Sequence, residues 1–221
     1  MNVSEAVAQR RTIRGFRPDP VDPKLIRQIF SRAQQAPSNC NTQPWHMTVV
    51  SGQARQQLEQ SLMQEIMSGK PPSPAFTPGD HNLQGIYRER QVDCAVRYYG
   101  VMGIGREDKQ ARNELMAKNW QFFGAPHAGF LCMPLDMGPV NAIDIGIYLQ
   151  TLMLLFVEHG IDSCPQGALA FFPDPVREIG GIPEGMGIVC GISFGYADEE
   201  ALINTVRMPR DELNRAVEFV E

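Results

Sequence analysis

Apolar residues recur at helical spacing early in the chain. Leu25, Ile26, Ile29, Phe30 and Ala33 mark one face of a helix that Asp22 caps, Pro23 opens and that extends to about Gln35. A shorter helix is predicted over Val3 to Arg11, stopped by the β-branched pair Thr12-Ile13 and by Gly15. His46-Met47-Thr48-Val49-Val50 reads as a strand ending at Ser51-Gly52, and Leu58, Leu62, Met63 and Ile66 then mark an amphipathic helix. Two further helices are expected over Gln84 to Gly103 and Glu107 to Phe123, with a second strand over Ala128 to Met133. Ile143 to Glu158 reads as a helix apolar on nearly all sides and ended by Gly160, which belongs at a core centre or a subunit interface. Gly187 to Gly195 is the third strand candidate, and Pro209 to Glu218 gives a last short helix. Few strands separated by many helices, without regular alternation, predict a mixed α+β architecture.

Composition narrows this picture. With 221 residues and 43% hydrophobic content the chain can bury a sizeable core. It carries no linker, so residues 1–221 are expected to form a single domain. The Pro-rich stretch Lys70 to Gly79 reads as an irregular surface segment or lid. A formal net charge of -5 argues against nucleic-acid binding, which needs a broad basic face. The 5 cysteines are scattered without a Cys-x-x-Cys pair, and the histidines lack metal-site spacing, so no metal is expected. Free thiols and an N-terminus without a signal-peptide apolar run fit a reducing cytoplasm. The run Ile143 to Val157, interrupted by Asp144, Gln150 and Thr151, is read as too short and too polar for a membrane, where ~20 apolar residues are needed.

Two motifs resemble catalytic signatures and lack their partners. Gly191-Ile192-Ser193-Phe194-Gly195 fits a G-x-S-x-G nucleophile elbow, but His46, His81, His127 and His159 all precede the serine, whereas that hydrolase order needs a later histidine. Gly103-Ile104-Gly105 lacks the third glycine of a dinucleotide fingerprint and reads as a turn between helices.

The stronger chemistry lies near the start. Arg10, Arg11, Thr12 and Arg14 form a cationic, hydroxyl-bearing cluster, and an arginine run recurs at Arg207 and Arg210 in an otherwise acidic chain. A phosphate held from both chain ends by charge-assisted hydrogen bonds would account for both runs. Pro37-Ser38-Asn39-Cys40-Asn41-Thr42-Gln43-Pro44-Trp45 follows, with more donors and acceptors than a turn needs. Together they suggest a site for a phosphorylated, flat cofactor.

These segments, with Asn119 to Pro126, Asp144-Ile145-Gly146, Gly160 to Gly167 and Gly195-Tyr196-Ala197-Asp198, occur in an order that resembles the FMN-dependent nitroreductase family, nearest its nitrobenzoate-reductase-like branch. The resemblance covers nearly the whole chain. It implies a nitroreductase-like α+β fold, with a central, mostly antiparallel sheet packed with helices, built as an intertwined homodimer with FMN at the interface. It also implies that Arg10 and Thr12 hold the FMN phosphate together with Arg207, that Arg11 belongs to the cofactor-binding set, and that Arg14 lies at the pyrimidine edge. Pro37, Ser38 and Asn39 would come from the partner subunit, with Gln43 close by, and the Pro165-Gln166-Gly167 backbone would lie over the ring near N5. The activity implied is NAD(P)H-dependent reduction of a small nitroaromatic or quinone by hydride transfer through the flavin in a ping-pong cycle, with no catalytic side chain, since FMN carries the chemistry. Two alternatives stay open: a flavin reductase for halogenated or unsaturated substrates, and a non-catalytic FMN sensor or store.

Overall fold

The structure is a computed structural model describing residues 1–221. Its centre is a four-stranded sheet of β1 (His46–Ser51), β2 (His127–Pro134), β3 (Asp162–Gln166) and β4 (Met186–Gly195), in the order β1-β2-β4-β3. All three pairings are antiparallel. Both faces of the sheet are covered. Ala128, Phe130 and Cys132 of β2 join one core with Leu58, Leu62, Phe122 and Val176, while Leu131 and Met133 join another with Ile29, Tyr148, Leu152 and Phe156. Burial on both faces explains why β2 reads as a continuous apolar run rather than an alternating one. A register shift between Leu131 and Cys132 adds one residue to β4, which turns Ile188 to the first core while Ile192 and Phe194 face the second.

Seven α-helices surround the sheet: α1 (Val3–Gln9), α2 (Pro23–Ala33), α3 (Gly52–Met67), α4 (Gly85–Val101), α5 (Lys109–Ala117), α6 (Pro139–Glu158) and α7 (Pro173–Gly180). As expected, Asp22 caps α2 by accepting from the Lys24 N–H at 2.8 Å, with Pro23 in the first turn. α6 begins earlier than the sequence reading, because Gly138-Pro139 is itself a helix start, and spans 20 residues. That length and apolarity could cross a membrane, unlike the shorter run expected from the sequence; here the buried face of α6 packs with α2 in the second core.

Three expectations are corrected. The helix predicted over Pro209 to Glu218 is absent: only a single 3-10 turn forms at Leu213–Arg215, in a stretch with no buried residue to supply the packing that a short helix needs. The helix predicted to run to Phe123 stops at Ala117, and Phe122 and Phe123 adopt φ of 55° and 52° as they insert into the core. β3 and α7 escaped the sequence reading. β3 is five residues long, partly polar and contains Pro165, which a strand tolerates at a sheet edge, and α7 begins on two closely spaced prolines.

His127, at the start of β2, is buried against the Phe194 ring, with centroids 5.1 Å apart. Its Nε2 accepts from the Val21 N–H at 3.0 Å, which places the proton on Nδ1, 2.6 Å from Ser51 Oγ. Burial pushes its pKa below the ordinary 6.5, so the unfolded chain binds the proton more readily than the folded one. The neutral ring's contribution is therefore complete above pH 6.5 and is lost as pH falls below it through the folded value. Thermal denaturation from pH 7.5 to 5 is expected to show a steeper loss of Tm in the wild type than in His127→Gln; parallel curves would contradict this.

Candidate functional site

The N-terminal cationic cluster is extended because α1 ends at Gln9. Arg10 leaves the helical region at φ -57° and ψ 119°, and the next residues run alongside β3. Thr12 forms a parallel bridge with Ser163, and the Ile13 N–H donates to the Ser163 carbonyl at 3.0 Å. Ile13 is fully buried.

Asn204 fastens the C-terminal segment to this strip. Its Oδ1 accepts from the Arg14 N–H at 2.8 Å, and its Nδ2 donates to the carbonyls of Gly15 at 2.8 Å and Asp198 at 2.9 Å. A Cβ on Gly15 would stand 2.7 Å from the Ala201 Cβ, so glycine permits the close approach. Nothing local in the sequence assigns Asn204 this role.

The result is a cavity of about 1100 Å³ lined by Arg10, Arg11, Thr12 and Arg14 from one end of the chain and Arg207 and Arg210 from the other. None of these five arginines is ion-paired to a carboxylate. Arg207 donates to the carbonyls of Asn204 and Val206 at 2.8 and 2.9 Å, leaving its charge unneutralised. The one carboxylate in the lining, Asp162, is pushed above its ordinary pKa by burial, against the pull of a backbone hydrogen bond and of Arg11. This donor set suits a dianionic phosphate: several guanidinium groups and a hydroxyl, with one carboxylate in the lining.

Pro165, Gln166 and Gly167 lie outside the cavity lining, but they continue the strand whose first residue, Asp162, belongs to it. The Gln166 side chain is not free for a ligand. It is buried, donates through Nε2 to Asn119 O and Oδ1 at 2.9 and 3.2 Å, and accepts from Ser193. Any contact this segment makes with a ligand falls to its backbone. Beside it, Arg14 stacks over the Tyr98 ring at 5.0 Å, and burial raises the Tyr98 hydroxyl to about 12 despite that charge.

Pro37, Ser38, Asn39 and Gln43 do not reach this cavity. Their turn is strained, with Cys40, Asn41 and Gln43 at φ of 48°, 56° and 46°. Such non-glycine conformations cost about 1 to 3 kcal/mol each and persist only where the surroundings impose them. Asp144 of α6 supplies one restraint, its Oδ1 accepting from the Asn39 N–H at 3.1 Å, and Ser38 Oγ accepts from the Gln43 N–H at 2.9 Å. Trp45 anchors the exit by stacking on Tyr148 at 5.0 Å and donating to Gln34 Oε1 at 3.0 Å. In the sequence Asp144 interrupts an apolar run and opens the Asp144-Ile145-Gly146 motif, with no contact to the turn assigned; its other oxygen, Oδ2, is buried without a partner.

The two catalytic lookalikes have structural roles. Ser193 is fully buried within β4, and Gly103 turns the chain between α4 and α5 at φ 67°. All cysteines are free thiols, and no three His, Cys, Asp or Glu side chains cluster as metal ligands would.

Known proteins share this fold. Nitroreductase NfnB of Mycolicibacterium smegmatis is 41% identical over 210 residues, spanning 95% of this chain and 89% of the relative. A 4-nitrobenzoate reductase of Pseudomonas putida is 37% identical over 205 residues, spanning 93% and 89%. The crystal structure of FMN-dependent NfnB from Mycobacterium smegmatis in complex with NADPH superposes with a TM-score of 0.94 at 39% identity, covering 100% of both chains. That of the FMN and NADPH-dependent NfnB from Sphigopyxis sp. strain HMH gives 0.96 at 36%, again over 100% of both. The model of the nitroreductase family matches residues 7–196, and with this sheet, these helices and these relatives the chain belongs to that family.

Proposed function

We propose that this protein binds FMN and uses electrons from NADPH or NADH to reduce small nitroaromatic compounds or quinones. The observation that carries the reading is the cavity lined by arginines from both chain ends with no carboxylate paired to them. The names of its relatives, FMN- and NADPH-dependent nitroreductases and a 4-nitrobenzoate reductase, support the cofactors and the substrate class. FMN held in this site would supply the redox chemistry that links oxidation of the nicotinamide to reduction of the second substrate.

The chain's own residues bind and orient. Arg10, Arg11 and Arg207 hold the phosphate, and Thr12 adds its hydroxyl. Arg210 lines the same cavity and strengthens its positive potential. Arg14, held over Tyr98, carries positive charge to the ring's pyrimidine edge, where it stabilises negative charge. The backbone of Pro165, Gln166 and Gly167 offers polar groups toward N5. No side chain acts as acid or base in this scheme.

A second copy of the chain completes the site. Val140, Ile143, Gly146 and Gln150 form an exposed, mainly apolar stripe at helical spacing on α6, and α4 has no buried residue. Leu213, Val217, Phe219 and Val220 near the C-terminus are also exposed. An intertwined homodimer covers these surfaces and brings the partner's turn, Pro37 to Asn39 with Gln43, to the cofactor. The whole chain serves as one domain, and its free thiols suit the cytoplasm.

Purified protein is expected to be yellow, with a flavin absorbance spectrum, and to oxidise NADPH or NADH in the presence of a nitroaromatic or quinone acceptor. Protein that binds FMN without NAD(P)H oxidation would instead be a sensor or store. Arg10→Ala combined with Arg207→Ala removes two charge-assisted contacts worth about 1.5 to 3 kcal/mol each, weakening FMN on the order of 10²- to 10⁴-fold. Titration by flavin fluorescence checks this, and stoichiometric FMN retained in the double variant would refute the phosphate assignment.

Sedimentation is expected to give a dimer, whose interface exceeds the ~2,000 Å² lower bound of obligate pairs. Ile143→Asp on the α6 stripe should yield monomers with weakened FMN binding; a flavin-replete monomer would contradict the shared site.

A further inference from the structure

Gly191-Ile192-Ser193-Phe194-Gly195 lacks a hydrolase's partners, yet it lies beneath the segment that follows β3. A Cβ on Gly191 would stand 2.4 Å from Leu169 Cδ1 and 2.7 Å from Leu169 Cβ. Only glycine there lets the turn Gly167–Ala170 settle onto β4. Ser193, two residues on, is fully buried and donates its hydroxyl hydrogen to Gln166 Oε1 at 2.5 Å. At the other end of the same amide, Nε2 donates to both acceptors of Asn119. A primary amide turned by 180° exchanges its donor and acceptor ends. The Asn119 acceptors at Nε2 therefore select one orientation of Gln166, and the Ser193 hydroxyl, which rotates to donate, secures it at Oε1.

We propose that Ser193 is a positioning residue for the cofactor-facing backbone of Pro165, Gln166 and Gly167, acting through the orientation of the Gln166 amide. The inference rests on the FMN reading above. Gln166 is bonded at its side chain to β4 and to Asn119, and the turn beginning at Gly167 is seated on Gly191 through Leu169. The backbone between these anchors is fixed at both ends. Without the Ser193 hydroxyl, the buried Oε1 loses its partner and the amide is held from its Nε2 end alone, which loosens one anchor. Hydrogen bonds weaken steeply with angle, so a backbone donor aimed at the flavin edge depends on that anchoring. The phosphate contacts lie elsewhere and keep FMN bound.

The test compares wild type, Ser193→Ala, Gln166→Met and the double variant in two measurements. One, on all four proteins, is the midpoint potential of bound FMN against a reference dye; the other, on the two that keep Gln166, is NMR exchange of its side-chain amide protons in the apoprotein. Ser193→Ala is expected to retain FMN while changing the ratio of oxidised to reduced FMN affinity about tenfold, which is about 30 mV for a two-electron couple. Gln166→Met should shift it similarly, and the double variant no further, because both act through one amide. The Gln166 amide protons should exchange slowly in wild type and faster in Ser193→Ala. If Ser193→Ala does not fold, Ser193→Cys, a weaker donor of similar size, should give an intermediate shift. An unmoved potential in the folded serine variant, shifts that add in the double variant, or equal amide exchange would overturn the proposal. Wild-type protein that takes up no FMN would overturn the functional reading and this inference with it, whereas an FMN-replete wild type with an unmoved variant potential sinks the inference alone.

Discussion

The Asn204 side chain joins two ends of the chain that lie far apart in sequence. Three hydrogen bonds, from the Arg14 amide and to the Gly15 and Asp198 carbonyls, bring Arg207 and Arg210 to the cavity that Arg10, Arg11 and Arg14 line. Concentrating like charges is unfavourable unless something anionic compensates. Here no acidic side chain neutralises the arginines, and the nearby Asp162 is itself shifted toward its neutral form. A structure that holds several uncompensated guanidinium groups in one concavity is organised for an anionic ligand. The glycine at position 15 and the buried Asn204 are its structural conditions.

The second organising constraint is α6. One face fills the core beside Trp45 and α2, while Val140 and Ile143 stand about 60% exposed, at 62% and 61%. The same helix presents Asp144 to the strained turn at Asn39. The turn is thus fixed from a helix that carries an exposed apolar stripe, which couples cofactor contacts to association in the proposed function. Strain at Cys40, Asn41 and Gln43 is held by these contacts rather than by local preference, since neither cysteine nor glutamine favours a left-handed backbone.

Much of this was legible in the chain itself. The Asp22-Pro23 start carries its own capping chemistry, and the apolar periodicity of α2 and α3 reflects a helix with one buried face, so both were readable locally. The two arginine runs and the polar turn were readable as charge and hydrogen-bonding density. β3 was not, because its edge position, and not its side chains, makes Pro165 tolerable, and its pairing with β4 involves residues some thirty positions away. The helix expected after Pro209 had local propensity but no surface to pack on.

The sequence by itself determined the class of chemistry and the α+β character, because motifs, charge and periodicity are properties of short segments. Tertiary structure alone decided which arginines share a cavity, that the Gln166 side chain is turned inward to Asn119 and Ser193, and that Asp144 restrains the turn at Asn39. Each of these depends on a contact between residues remote in the chain. Such contacts form only when the sheet closes and its two cores pack, which no local pattern encodes.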